Sequence, residues 1–234
     1  MSVTSPSSST RSELRVIDLT VALRSGMRGV QIDPRHQIGS DGWNSSTLQL
    51  YSHCGTHMDA PLHFFPDRGT IDQIPLQRCI GPAVVADVMP IAQRELIEAR
   101  HLGPAADRIR PGDALLLKTG WSALIEDAAA YRDNLPRISR ELAEWCVARQ
   151  VRLIGVEPPS VADVACLQEV TEIHHILLGN NVIIVEGLTN LEQLREERVL
   201  FCAAPLKIAD GDGAPCRAFA IEGFPLDQLT LLRD

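Results

Sequence analysis

Positive charge is the scarcer sign in this chain: 22 Lys and Arg stand against 30 Asp and Glu, for a net charge of −8. The cations are dispersed, with no basic stripe interleaved with aromatics, and aromatics make up only 4% of the residues. Such a surface repels a phosphate backbone, which excludes nucleic acid as the expected partner. No apolar run approaches the ~20 residues a spanning helix needs, so membrane insertion is not expected. The six cysteines, Cys54, Cys79, Cys146, Cys166, Cys202 and Cys216, include no CxxC pair. That absence excludes a zinc knuckle and suits reduced thiols packed in a core. Neither a Walker-type nor a dinucleotide-type glycine loop is present, and no Gly-x-Ser-x-Gly elbow surrounds Ser160 or any other serine. Nucleotide cofactors and covalent serine catalysis are therefore not indicated.

What is present is a 234-residue chain that is 45% hydrophobic, enough for one sizeable core. The Ser- and Thr-rich opening lacks the apolar stretch of a signal peptide. Residues 1–13 are expected to be a disordered lead, 14–234 a single domain, and the protein cytoplasmic. Aliphatic runs bounded by Gly, Pro, Asn or Asp predict strands at LRVIDLT, GPAVVADV, DALLLKT, VRLIGV, NVIIVE, VLFCAAPLKIA and RAFAIEG. Helical spacing marks QRELIEARHL, SALIEDAAAYR and SRELAEWCVARQ, and Asn190 with Gln193 predicts a capped helix start at NLEQLREER. Strands alternating with amphipathic segments define an α/β chain. ADGDGAPCR lacks the ligand series of a calcium loop and predicts a hairpin turn.

The chemistry concentrates in HCGTHMDAPLHFF, residues 53 to 65, which holds three of the seven histidines. His53, His57, Asp59 and His63 all lie at even offsets, yet on a straight strand His53 and His57 would stand roughly 13 Å apart at about 3.3 Å per residue. The chain must bend, and Gly55 permits it. Two imidazoles and a carboxylate then converge as ligands for a divalent ion, leaving a position open for water. A second cluster follows in EIHHILLGNNVIIVEG, where a helix carrying His174 and a returning strand ending in Glu186 supply two more donors. His36 and His101 read as incidental, and His175 as a solvent-facing neighbour. The bland alternative for Glu186 is a strand end paired with a cation such as Arg195.

An ion with an open position supplies hydroxide near neutral pH and polarises a carbonyl, which fits hydrolysis of an amide carbon–nitrogen bond. His63 is suited to carry the proton, having an ordinary pKa near 6.5. Trp43, Phe64, Phe65 and Trp121 are candidate walls for an aromatic substrate. Two rivals stay open: a non-haem iron oxygenase built on His57, Asp59 and His174, and a non-catalytic metal-binding protein.

HCGTHMDAPLHF fits H-x-G-T-H-x-D-x-P-x-H-F and resembles the signature of the metal-dependent cyclase-like hydrolases, the group of bacterial kynurenine formamidase and isatin hydrolase. GTIDQIPLQRCIGPAVVADV, DALLLKTGW, HHILLGNNVIIVEGLTNL and PLKIADGDGAPCRAFAI extend the resemblance in order across most of residues 15 to 225. It implies a swivelling β/β/α domain with a mixed sheet and flanking helices, in a homo-oligomer, dimer or tetramer. It also implies one or two ions, Zn²⁺ or Mn²⁺, with His53, His57 and Asp59 at one site and Asp59, His174 and Glu186 at the other. His63 would be the proton donor and acceptor, and the substrate an N-formyl aryl amide or cyclic amide. Glu157 and Pro158 stand where relatives commonly carry Asp and Thr, a departure that bears on the substrate pocket.

Overall fold

The computed structural model describes residues 13–229; the expected lead, apart from its last residue, lies outside them. Twelve strands run along the described residues: β1 (Arg15–Asp18), β2 (Val30–His36), β3 (Ser45–Leu50), β4 (His57–Asp59), β5 (Ile80–Asp87), β6 (Leu96–Ile97), β7 (Ala114–Lys118), β8 (Arg137–Ile138), β9 (Leu153–Val156), β10 (Ile183–Glu186), β11 (Arg198–Pro205) and β12 (Gly213–Glu222).

The runs without polar alternation lie at the centre. β7, β9 and β10 are apolar on both faces and almost wholly buried, as parallel strands covered on both sides must be. β5, β7, β9 and β10 pair in parallel, while β11, β12 and β1 add on antiparallel through β5. The ring is closed by three-residue β4, which pairs antiparallel with β10 on one side and with β12 on the other. Barrel closure thus depends on β12, whose free edge is shared between β4 at its start and β1 at its end. The result is the mixed sheet with flanking helices expected of a β/β/α domain.

Side-chain alternation splits the apolar residues into two cores. Ala83, Val85, Leu116, Val185 and Phe201 point inward with Met58 of β4, whereas Val84, Ala86, Leu115, Leu117 and Ile184 point outward under the helices. The helix Arg140–Ala148 starts where Ser139 accepts from Leu142 N and buries Leu142, Ala143 and Cys146. The helix Leu167–Gly179 buries Ile173, His174, Leu177 and Leu178 against the same layer. Burial of one such leucine contributes about 1.5–3 kcal/mol.

Four local expectations are corrected. Residues 93–102 form no α-helix: Leu96 and Ile97 pair with β8, and Ala99–Leu102 is a 3-10 turn. That arrangement buries Ile97 and Leu102 together, so tertiary packing overrides helical spacing. Residues 122–132 divide into a 3-10 turn, Trp121–Leu124, and a helix, Ala128–Asp133, because Asp127 caps a new start by accepting from Ala130 N. At 190–198 only Leu191–Gln193 turns; Asn190 is left-handed at φ 60 and spends its amide on Asp18 O instead of capping. The strand expected through residue 209 ends at Pro205, and the hairpin expected at ADGDG is the seven-residue connection, 206–212, between antiparallel β11 and β12. The four buried cysteines, Cys54, Cys79, Cys146 and Cys216, and the more exposed Cys166 and Cys202 are all free thiols.

Candidate metal centre

β4 owes its place to the bend before it. β3 ends at Leu50, and Gly55 takes a left-handed φ of 58, turning the chain so that His53 lies beside His57 instead of along a common strand. The two imidazoles meet edge to face with centroids 5.2 Å apart. Register then matters: β4 pairing with β10 sets His57 directly opposite Glu186 and Asp59 opposite Ile184. Behind them, the Leu167–Gly179 helix carries His174 inward, and the 3-10 turn Pro61–His63 folds His63 back over His53, ring on ring at 4.0 Å.

Asp59 is the hub. Its Oδ1 lies 2.8 Å from His53 Nδ1 and 3.7 Å from His57 Nε2, and its Oδ2 lies 3.5 Å from His174 Nε2. Glu186 approaches from the other side, with Oε2 3.2 Å from His57 Nε2 and Oε1 3.9 Å from His174 Nε2. The second hold on Glu186 Oε1 is the amide of Val161, at 2.7 Å. The donors fall into two groups compact enough to hold an ion: His53, Asp59 and His63, and His57, Asp59 and Glu186. Asp59 is common to both, as the resemblance implies, but the histidine grouped with Glu186 is His57.

A divalent cation fits this donor set. His57 Nε2 and Asp59 Oδ2 are buried and have no partner at hydrogen-bonding geometry, only ionisable neighbours at 3.2 Å (Glu186) and 3.5 Å (His174), an expensive state for polar atoms unless something binds them. Two ligands each ~2.1 Å from one ion at a tetrahedral angle sit about 3.4 Å apart. The 3.2–3.9 Å separations among His57, His174, Asp59 and Glu186 straddle that value. Imidazole and carboxylate are the ligands that suit Zn²⁺ and Mn²⁺.

Without an ion the cluster holds protons in its place. Burial alone would push His53 down, but Asp59 and Asp212 override it and lift the imidazole to about 9. His57 and His174 are also raised against burial, by Glu186 and Asp59 respectively. Asp59 is held well below the usual carboxylate range, since His174, His53 and His57 outweigh its burial. His63 goes the other way: burial, joined by the charges of His53 and His174, lowers it to about 4 despite Asp59 and Asp212.

The remaining sequence candidates are placed as follows. Phe64 stacks on His174 at 4.5 Å and Phe65 on exposed His175 at 4.7 Å, so both back the cluster from the outer core. Trp121 is buried with Tyr131 and Leu135, its indole N–H donating to Tyr131 O. Trp43 is 54% exposed and stacks on His36 at the far end of the β2–β3 hairpin. Among the described residues no ring contact ties either tryptophan to the cluster. Arg195 does not pair with Glu186; its backbone amide donates to Glu222. Glu157 is fully buried, accepting at its side chain from Thr119 N, Thr119 Oγ1, Gly120 N and Ser122 Oγ.

Sequence reasoning missed Asp212, whose Oδ2 lies 3.0 Å from His53 Nε2 and 3.8 Å from His63 Nδ1. The signal was the DGDG run, four residues of which two are acidic, read for its turn chemistry alone.

In a barrel closed by a strand of metal-type donors, imidazoles and carboxylates converge into a candidate divalent-metal site. Residues 17–163 match the family model Cyclase, described as "Putative cyclase". The chain is 30% identical over 224 residues to the kynurenine formamidase of Erythrobacter litoralis, covering 92% of this chain and 97% of that protein. To the kynurenine formamidase of Salinibacter ruber it is 33% identical, covering 75% and 78%. Among solved structures, isatin hydrolase A from Ralstonia solanacearum superposes with a TM-score of 0.75 at 28% identity, covering 89% of this chain and 92% of that one. The chain belongs to the Cyclase family.

Proposed function

We propose that this protein is a metal-dependent hydrolase that cleaves a carbon–nitrogen amide bond, in an N-formyl aryl amide or a cyclic amide, with one or two Zn²⁺ or Mn²⁺ ions per chain. The observation that carries the reading is the pair of orphaned buried atoms, His57 Nε2 and Asp59 Oδ2, at the centre of five convergent donors. The names of the formamidase and isatin hydrolase relatives support the amide as the bond cut.

A divalent ion held by His53, His57, Asp59, His174 and Glu186 supplies Lewis acidity and an acidified water. The chain's own part is proton handling and orientation. His63 is the most open histidine of the cluster, 26% exposed at its side chain against 8% or less for His53, His57 and His174. It therefore faces an arriving substrate. Burial and the charges of His53 and His174 keep it unprotonated at pH 7, the form that can take a proton from the attacking water and return it to the leaving nitrogen. Asp59 and Glu186, both nearly fully buried, orient the histidines, Asp59 reaching His53, His57 and His174 and Glu186 reaching His57 and His174. A facial triad of His57, Asp59 and His174, the oxygenase alternative, would give no task to Glu186, which approaches His57 Nε2 more closely than Asp59 does.

Four exposed apolar side chains on the hairpin arm, Ile38, Trp43, Leu48 and Tyr51, favour a homo-oligomer, because an isolated two-stranded sheet is marginal without cover. The test of the function is turnover of N-formyl aryl amides and lactams by metal-loaded chain, under air and without it. Release of formate or ring-opened acid in both conditions, lost in His63→Ala with the ion retained, supports hydrolysis. Strict dependence on dioxygen would overturn it, and so would inactivity of the loaded chain on the whole panel.

A further inference from the structure

The histidines around Asp59 are each held by the ring nitrogen turned away from the cluster's centre. His57 Nδ1 lies 3.0 Å from Gly55 O, and His174 Nδ1 lies 2.7 Å from Val170 O. A carbonyl only accepts, so those nitrogens carry the protons, and Nε2 is the atom whose lone pair is free for an ion on both rings. His53 is turned about. Its Nδ1 faces Asp59 Oδ1, and its Nε2 meets a carboxylate, Asp212 Oδ2, at 3.0 Å.

That carboxylate is placed with care. Asp212 ends the 206–212 connection, and its carbonyl accepts from Ala60 N at 3.0 Å, one residue beyond Asp59. Next to it, Gly211 O accepts from Ile71 N, and Asp210 N donates to Asp72. On the other side stands Gly213, where a Cβ would come within 2.8 Å of His53 Cε1. The absence of a side chain at 213 is what lets the His53 ring lie against this loop. Ser52 Oγ makes a longer contact to the same Asp212 oxygen, at 3.4 Å.

We propose that Asp212 is a positioning residue of the metal centre: it accepts the Nε2 proton of His53 and thereby fixes Nδ1 as the atom His53 offers to an ion. The proposal rests on the metal reading above. It gives His53 the acidic partner that metal-bound histidines commonly have, where His57 and His174 have backbone carbonyls. Because a carboxylate accepts more strongly than a carbonyl, it makes His53 the more basic donor. It also makes the ion on the His53 side of Asp59 the one whose hold depends on a loop side chain, 44% exposed, that a substitution can reach without disturbing the core.

The experiment is titration of the full chain with Zn²⁺ or Mn²⁺ against a chromophoric chelator, in wild type, Asp212→Ala and Asp212→Asn. It is paired with long-range proton–nitrogen spectra of histidine-labelled, zinc-loaded protein and the visible spectrum of the cobalt form. Asp212→Ala is expected to weaken one ion by about 10–100-fold, the usual effect of removing such a partner. Asp212→Asn keeps an accepting oxygen and should retain binding within a few-fold, with His53 still protonated on Nε2 and the cobalt bands unmoved. Wild-type affinity and tautomer in Asp212→Ala would overturn the positioning role while leaving the metal site standing. Equal loss in the Asn and Ala variants would overturn it too, making Asp212 itself a ligand. A wild-type chain that takes up no ion would overturn the metal reading and this proposal together.

Discussion

Metal binding to this chain should be coupled to proton release, with a size set by His53. In the metal-free protein that imidazole carries both protons, one toward Asp59 and one toward Asp212, and it holds them up to about pH 9. An ion at Nδ1 must displace one. At pH 7, some two units below that value, the displacement costs about 3 kcal/mol at ~1.36 kcal/mol per unit. Apparent affinity should therefore rise about tenfold per pH unit from 7 to 9, roughly a hundredfold in all, and flatten above. His57 and His174, raised as well, act in the same direction. Stability of the ion-free chain moves oppositely. A histidine raised from 6.5 to about 9 contributes its stabilisation fully below pH 6.5, and the contribution is lost as pH climbs through 9. The loss amounts to about 3 kcal/mol at ~1.36 per unit, and the loaded chain should be spared it. Calorimetric titration in two buffers of different ionisation enthalpy counts the protons, and melts of chelator-treated and loaded protein follow the stability. Affinity that is flat between pH 7 and 9, with no proton released, would refute the reasoning.

Glu157→Ala removes the acceptor shared by Thr119 N, Thr119 Oγ1, Gly120 N and Ser122 Oγ and leaves buried donors unpaired, so it should destabilise by about 2–3 kcal/mol in denaturant unfolding. Gly187→Ala combines a left-handed φ of 68 with a Cβ 2.4 Å from Gly55 O. It should push the Glu186 and His57 segments apart, lowering both the melting temperature and the ions retained per chain by elemental analysis. Leu142→Ala, far from the donors, is expected to cost about 2–5 kcal/mol with metal content unchanged. Trp43→Ala should leave the melting of the single fold nearly intact while shifting mass toward monomer in light scattering; an unchanged mass would show that the hairpin arm is not the contact.

The sequence carried the site further than the secondary structure around it. His53, His57, Asp59, His174 and Glu186 lie together in the structure, and what pointed to them, even spacing, Gly55 and the helix-to-strand return from His174 to Glu186, are local features that a linear reading can see. The helix expected at 93–102 failed because Leu96 and Ile97 pair with the strand Arg137–Ile138, a distant partner that no local period encodes. Asn190 looked like a cap and serves Asp18 instead, a partner 172 positions distant. Asp212 was hidden for the same reason: its meaning lies in a contact 159 residues back along the chain. Trp121 shows the converse limit, since a buried indole and a substrate-facing one read alike in one dimension.

The short β4 strand has a temporal consequence. Its donors precede in synthesis the strands that hold them, because β4 is seated only between β10 and β12. During translation the histidines at 53 and 57 exist for more than 150 residues before the wall that gathers them. A chain cut before residue 213 would carry most of these donors without the β12 pairing that seats the β4 strand among them.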